Sequence, residues 1–370
     1  MTETRDQPVH ESGARPESTL SRSLREPRRA ALAVLAEGAS PARQARAIEW
    51  MHANPAEQVV QALANDQVDQ LFLHAAKASG LAARFSARVI ELLGARRMSV
   101  AASVIRQEHV LGETCALLDQ IGVEYVVFKG ALVRQFLYAK PYLRPSVDVD
   151  LLVAPGEARK IARLFETHGY NLALQAHSDT HEMSLERLGV GLDLHWSLLR
   201  PGRMREEIAR EIVEGRVRQG SLWGPSDTHL TVAMLVHPAI TDHVTGRLVS
   251  AVDLDLWLRK RQVRWDEVTQ LLRRIGLRTA AWAMLVWTHS LFETPVPGEV
   301  WRQLAPSTLR RRYLEYWLGL DPARLYGRQP WLVRGLFSLA LQDRVRDAAR
   351  AVWTLARKER LVLDATRTKS

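Results

Sequence analysis

The feature that most restricts the fold is an abrupt change of periodicity part-way along the chain. Over residues 28–120 apolar side chains recur at spacings of three and four, as in Val68, Leu71, Phe72 and Ala75 and again in Ile90 and Leu93. That is the period of helices with one buried face, and Pro41, Pro55 and Gly80 punctuate them. At Ile121-Gly122 the texture changes. Glu124-Tyr-Val-Val-Phe128 is a β-branched and aromatic run that predicts a buried strand. Lys129-Gly130-Ala131 opens a helix predicted to reach Tyr138, and a proline-punctuated loop over 140–145 leads into a second strand over 147–153. An amphipathic helix is predicted over 158–168, closed by Gly169. Further strands are predicted over 170–174, 182–185 and 190–196. After Ser226, a favourable N-cap, the helical period returns over 230–237, 247–260, Trp265–Ile275, Arg278–Phe292 and later segments to about 362.

This order predicts a helix-dominated α+β protein with a small mixed sheet held between two helical regions. The boundaries drawn from sequence are a flexible tail over 1–27, an N-terminal helical region over 28–120, a sheet-bearing core over 121–220, a C-terminal helical domain over 221–362 and a frayed tail over 363–370. A chain of 370 residues, 46% hydrophobic and 25% charged, has the composition of a globular protein with a sizeable core. No repeat of 20–50 residues is evident.

Cys115 is the single cysteine, which excludes a disulfide framework and a multi-cysteine zinc site. It lies in an apolar helical stretch and reads as a buried, inert thiol. The first 30 residues are polar and arginine-rich, unlike a signal peptide. The most apolar stretch, 279–287, falls far short of the roughly 20 residues that span a bilayer, so a soluble cytoplasmic protein is expected, with no membrane partner. The charge balance is +10, and seven lysines leave 44 arginines among the 51 cationic side chains. Guanidinium forks suit phosphate and carboxylate, so a polyanion partner or a general preference for arginine accounts for the excess.

The chemistry concentrates in Val147-Asp148-Val149-Asp150-Leu151. Side chains alternate along a strand, so Asp148 and Asp150 share one face about 7 Å apart, with the valines and leucine on the other. Two carboxylates so placed repel unless a cation neutralises them, and hard oxygen ligands of this kind suit Mg²⁺. Gly191-Leu-Asp-Leu-His-Trp196 alternates in the same way and sets Asp193 and His195 on one face. Upstream, the Lys129-Gly130 turn between strand and helix offers backbone N–H groups to an anion. Arg144 stands in the loop before Asp148, where it would overhang the site.

Lys129-Gly130, Leu143-Arg144-Pro145, Asp148-Val-Asp150-Leu-Leu-Val, Gly169-Tyr170, His181 and Asp193-Leu-His195-Trp196 resemble the bacterial nucleotidyltransferase-like family, an uncharacterised family of the DNA polymerase β nucleotidyltransferase superfamily. His237 and the helix bearing Arg247, Leu248 and Asp253 are similar to its C-terminal helical part, and the resemblance spans about residues 100–300. It implies an enzyme that moves a nucleoside monophosphate from an NTP to an acceptor, with Mg²⁺, or Mn²⁺ in its place, as cofactor. Asp148, Asp150 and Asp193 would be the metal ligands and catalytic residues. Lys129, Gly130, Arg144, Ser146, His181 and His195 would be the nucleotide-binding residues. The sequence departs from the superfamily in having Gly130-Ala131 where a second glycine or a serine is usual, and in a longer gap from Gly130 to Asp148.

The residues themselves leave the acceptor open: a small molecule, a sugar phosphate, a peptide or a protein, one reading being a biosynthetic tailoring enzyme whose helical domains recognise a carrier or peptide. A non-catalytic regulatory protein that binds nucleotide or nucleic acid is the competing class. It is not favoured, because the basic residues alternate with acidic and apolar ones and no RRM, zinc-finger or similar nucleic-acid signature is present. His177 and His181 are spaced as a helical metal pair, but they fall in a stretch read as loop and strand. His237 and Asp253 read as ties between the helical domain and the core, and Trp196, Trp257, Trp282 and Trp287 as core aromatics.

Overall fold

The computed structural model describes residue 24 and residues 26–174, 181–320 and 330–354. Four helices open it: α1 (Glu26–Leu35), α2 (Pro41–Ala53), α3 (Ala56–Asn65) and α4 (Asp69–Ala78). Pro41 takes the first position of α2, where its missing N–H is no loss, and the Ser40 hydroxyl caps the helix by accepting from the Arg43 N–H. The long helix α5 (Ala87–Gln120) runs 34 residues. It buries Val89, Leu93, Val100, Val104, Val110, Leu111 and Leu118 in one stripe, and ends where Gly122 turns at φ +66°.

The switch of period at residue 121 marks the entry to the sheet. Strands β1 (Tyr125–Phe128), β2 (Asp148–Val153), β3 (Asn171–Leu174), β4 (Glu182–Arg187) and β5 (Val190–His195) form one mixed sheet in the order β1-β2-β5-β4-β3. Only β2 and β5 run parallel; the other neighbours are antiparallel. Between β1 and β2 lies the short helix α6 (Lys129–Val133). It stops well before Tyr138, because the backbone tightens into i→i−3 bonds from the Gln135 and Phe136 N–H groups. Between β2 and β3 lies α7 (Ala158–Thr167), which buries Ile161, Ala162 and Phe165 and is followed by Gly169 at φ +80°.

After the sheet come α8 (Ala209–Glu214) and a hairpin of β6 (Val217–Gln219) and β7 (Leu222–Gly224), which the sequence reading did not resolve because each strand is three residues long. The hairpin lies beside β1, and α5 and α8 pack on the sheet. The C-terminal helices are α9 (Asp227–Thr241), α10 (Leu248–Lys260), α11 (Trp265–Ile275), α12 (Arg278–Phe292), α13 (Gly298–Leu304), α14 (Thr308–Leu318) and α15 (Pro330–Ala340). Ser226 caps α9 by accepting from the His229 N–H. Helices α9, α10 and α12 pack on one another around the fully buried Trp257 and Trp287. The molecule is a helix-dominated α+β fold, and no described helix is long and apolar enough to cross a membrane.

Two polar ties, the first buried and the second half-buried, fix the C-terminal helices against the rest. Arg144 donates from Nε to both oxygens of Asp253, at 3.0 and 2.9 Å, and from Nη2 to Oδ2 at 2.8 Å; the Tyr138 hydroxyl donates to the same carboxylate at 2.5 Å. Asp66, at the end of α3, accepts from Arg28 and also from the Leu248 N–H, so a residue from another helix caps α10.

Candidate active site

The site is built on β2 and β5. Their parallel register sets Asp148 opposite Gly191, Asp150 opposite Asp193 and Leu152 opposite His195. On the other side of β5, β4 sets Ser184 opposite Asp193 and Glu182 opposite His195. Paired residues share a face, so Asp148, Asp150, Asp193, His195, Ser184 and Glu182 project from one side of the sheet. Val149, Leu151, Leu192 and Leu194 are buried on the opposite side. Glu182 is the member that sequence reasoning missed, since only the β4–β5 register brings it to this face.

The carboxylates floor a cavity of about 460 Å³. Leu230, Ala233 and Met234 of α9 and Val249 of α10 supply an apolar wall, and Gln67, His237 and Asp242 complete much of the remainder. All nine residues singled out from sequence line this cavity except His195, which is fully buried beneath it.

Lys129 holds the centre. Its backbone has φ +54°, in the left-handed region, and its ammonium donates to Asp150 Oδ1 at 2.6 Å while lying 3.4 Å from His195 Nε2. His195 Nε2 lies 3.0 Å from the same Asp150 oxygen. His195 Nδ1 is 3.1 Å from Glu182 Oε2 but makes no hydrogen bond there. Ser184 donates to Asp193 Oδ1 at 2.6 Å and Ser146 to the Asp148 carbonyl at 2.7 Å.

Gly130 does not offer an open cradle. A Cβ there would stand 2.9 Å from Ser146 Oγ and 3.1 Å from Arg144 Nη1, so the space beside it is already taken by protein. Arg144 lines the cavity, but its guanidinium is committed to Asp253. His181 lies in the cavity wall, 3.4 Å from Glu182 Oε2. His177, its partner in the i,i+4 spacing, lies outside the described residues.

Electrostatics mark the floor as short of positive charge. Burial raises the pKa of Asp148, and Asp150 adds to the shift. Burial likewise raises Asp193, against the Ser184 hydrogen bond, with Asp148 and Asp150 adding. Glu182 is raised by burial, partly offset by Lys129. Burial works against the charge on Lys129, but Asp150, with Asp148 and Glu182 behind it, raises its pKa all the same. His181 is pushed down to about 4 by burial and then by Lys129, and His195 and His237 are lowered by the same two causes. Four carboxylates therefore share one hydrogen-bonded ammonium and neutral histidines, with Arg247 and Arg200 of the cavity lining acting on Asp148 and Glu182.

That donor set fits a divalent cation. Ligand atoms of Asp150, Asp193 and His195 lie within 4.8 Å of one another, as do those of His181, Glu182 and His195. Hard carboxylate oxygens in excess of cations are what Mg²⁺ takes. Asp148, one residue pair along on the same face, stands outside both sets as the side chains are placed.

The sequence over residues 52–293 matches the model of a family described as uncharacterised nucleotidyltransferase, which is most of the chain and encloses the sheet and the cavity. The chain belongs to that family. It is accordingly an enzyme of phosphorus-containing group transfer, acting on a nucleoside triphosphate. Compared with individual curated proteins, the sequence shows no significant match.

Proposed function

We propose that this nucleotidyltransferase catalyses Mg²⁺-dependent transfer of a nucleoside monophosphate from an NTP to an acceptor oxygen at the carboxylate-floored cavity. The observation that carries the reading is the β2–β5 register, which aligns Asp150 with Asp193 beneath a space of about 460 Å³, large enough for a nucleotide. Asp148, Asp150 and Asp193 would hold Mg²⁺, or Mn²⁺ in its place, and the bound metal supplies charge neutralisation at the phosphate oxygens.

The chain's own residues do the rest. Lys129, fixed between Asp150 and His195, pairs with the central carboxylate and brings a positive charge to the triphosphate. Asp193 accepts the acceptor's proton, and Ser184 orients it for that role. His195 and His181 remain neutral at pH 7 and pack the far end of the floor; His181 faces the cavity. Ser146 positions Asp148 through its carbonyl. The apolar wall of α9 and α10 excludes water and receives the nucleoside. The acceptor is a soluble molecule, peptide or protein of the cytoplasm, where NTP and Mg²⁺ are both supplied, and a biosynthetic tailoring role fits this setting.

Incubation of the full chain with Mg²⁺, cell extract and NTPs labelled in turn at the α- and γ-phosphates tests the reading. Transfer of α-label with release of pyrophosphate is the expected result. Transfer of γ-label alone would make the protein a kinase and contradict it.

A further inference from the structure

Lys129 and Arg144 are each held by a carboxylate of the protein, Asp150 and Asp253. Two other cations that line the cavity have no such ion pair among the described residues. Arg200 and Arg203 follow β5 on a turn closed by the Arg203 N–H donating to the Arg200 carbonyl at 3.2 Å, and both line the cavity. Neither guanidinium has a hydrogen bond or ion pair among the described residues. Arg203 is half-buried, and burial together with the Arg200 charge lowers its pKa. Folding thus brings two like charges together at the cavity, where among the described residues only the unbonded charge of Glu182 offsets Arg200, and a bound anion would relieve their repulsion.

Their position along the strands matters. Arg200 acts electrostatically on His181 and Glu182, at the row of the sheet that holds His195. Arg247, just before α10, acts on Asp148, at the row that holds Gly191. Four residues of strand separate those rows, about 13 Å. The cavity therefore has a cationic pole at each end of the carboxylate floor. In-line transfer places the leaving pyrophosphate and the attacking oxygen on opposite sides of the α-phosphorus. With the triphosphate at the Asp148 end beside Arg247, the pole beside Glu182 remains for the other substrate. Asp193 lies on β5, the strand that leads to Arg200 and Arg203.

We propose that Arg200 and Arg203 bind the phosphate of a phosphomonoester acceptor, so that the enzyme nucleotidylates a molecule that is already phosphorylated. Two guanidinium groups match a phosphate dianion in charge and in hydrogen-bond geometry. A hydroxyl oxygen of the same acceptor forms the new bond to the α-phosphorus, and its proton passes to Asp193. The bond from the α-phosphorus to the α–β bridging oxygen breaks, and its electron pair leaves with pyrophosphate. The reaction that supplies the acceptor is then a phosphorylation. This inference rests on the nucleotidyl-transfer reading for its chemistry, while its binding test stands apart from that reading.

The probe is methyl phosphate, titrated calorimetrically into the full chain with the triphosphate site filled by magnesium tripolyphosphate. Methyl phosphate should bind the wild type and bind Arg200→Gln/Arg203→Gln at least about tenfold more weakly, with tripolyphosphate affinity unchanged. Arg200→Gln alone, at an exposed position, should show part of the loss without disturbing the fold, and Arg203→Lys should restore most of the binding. Absence of methyl phosphate binding to the wild type, or equal binding to the double variant, would overturn the proposal. So would an equal loss of tripolyphosphate, which would place the arginines on the NTP, or acetate competing as well as methyl phosphate, which would make the acceptor a carboxylate. If Asp148→Asn/Asp150→Asn keeps its tripolyphosphate while the arginine variants still lose methyl phosphate, the reading of the carboxylates fails and the arginine site stands.

Discussion

Asp150 is the residue on which the site converges, accepting from Lys129 at 2.6 Å and lying 3.0 Å from His195. Removing its cation leaves a buried carboxylate unbalanced, at a cost of about 3–5 kcal/mol. Lys129→Met is therefore expected to lower the stability of the metal-free protein by that order in urea unfolding, and added Mg²⁺ should restore more of the loss than it adds to the wild type. Asp193→Asn keeps the shape of the side chain and its neighbour Ser184 but removes the proton acceptor. Turnover should fall by about 10²–10⁴, while Mg²⁺-dependent NTP binding by equilibrium dialysis weakens less than in Asp148→Asn/Asp150→Asn, since two of the three metal ligands remain. Asp148, Asp150, Asp193 and His195 were legible in sequence because alternation along a single strand decides their face. Glu182 was not, because its place depends on how β4 registers with β5. Nor were Arg200 and Arg203, since 44 arginines look alike until the fold shows which have hydrogen-bonded partners among the described residues.

Among elements, the join between the sheet and α10 carries the most concentrated polar contact. Asp253 on α10 takes three bonds from Arg144 and one from Tyr138, all buried. Asp253→Ala strands a buried guanidinium and is expected to destabilise the fold by about 3–5 kcal/mol in urea unfolding. The rescue Arg144→Met/Asp253→Leu should recover most of that stability, because an apolar pair leaves no unbalanced charge. Helices α11 and α12 and the start of the sheet at residue 121 were legible, since long stretches of one period and a clean change of period are local signals. Helix α6 fell short of its predicted end, and the β6–β7 hairpin went unseen. Elements of three to five residues carry too little pattern, and their ends are set by packing rather than propensity.

At the scale of the whole molecule, the cavity exists because the C-terminal helices close over the carboxylate face, and three histidines record that closure, His181 and His195 buried and His237 half-buried. His181, His195 and His237 all have lowered pKa values, with burial the main cause and Lys129 next. A histidine held neutral in the folded state and free to charge near 6.5 when unfolded contributes stability above pH 6.5 that is lost as the pH falls below it. His237→Gln, which cannot charge, should therefore gain on the wild type as the pH drops from 6.5 toward 4, read as the difference between their urea midpoints. The net charge of +10 was a weak guide to function, because many of the cations, Arg28, Arg144, Arg205 and Arg259 among them, are spent on internal carboxylates. The central claim is that the β2 carboxylates hold a metal-bound nucleoside triphosphate. It is tested most directly by equilibrium binding of labelled NTPs to the wild type and to Asp148→Asn/Asp150→Asn, with and without Mg²⁺. The account predicts Mg²⁺-dependent binding that disappears in the double variant. Mg²⁺-dependent binding of equal strength in both proteins would contradict it.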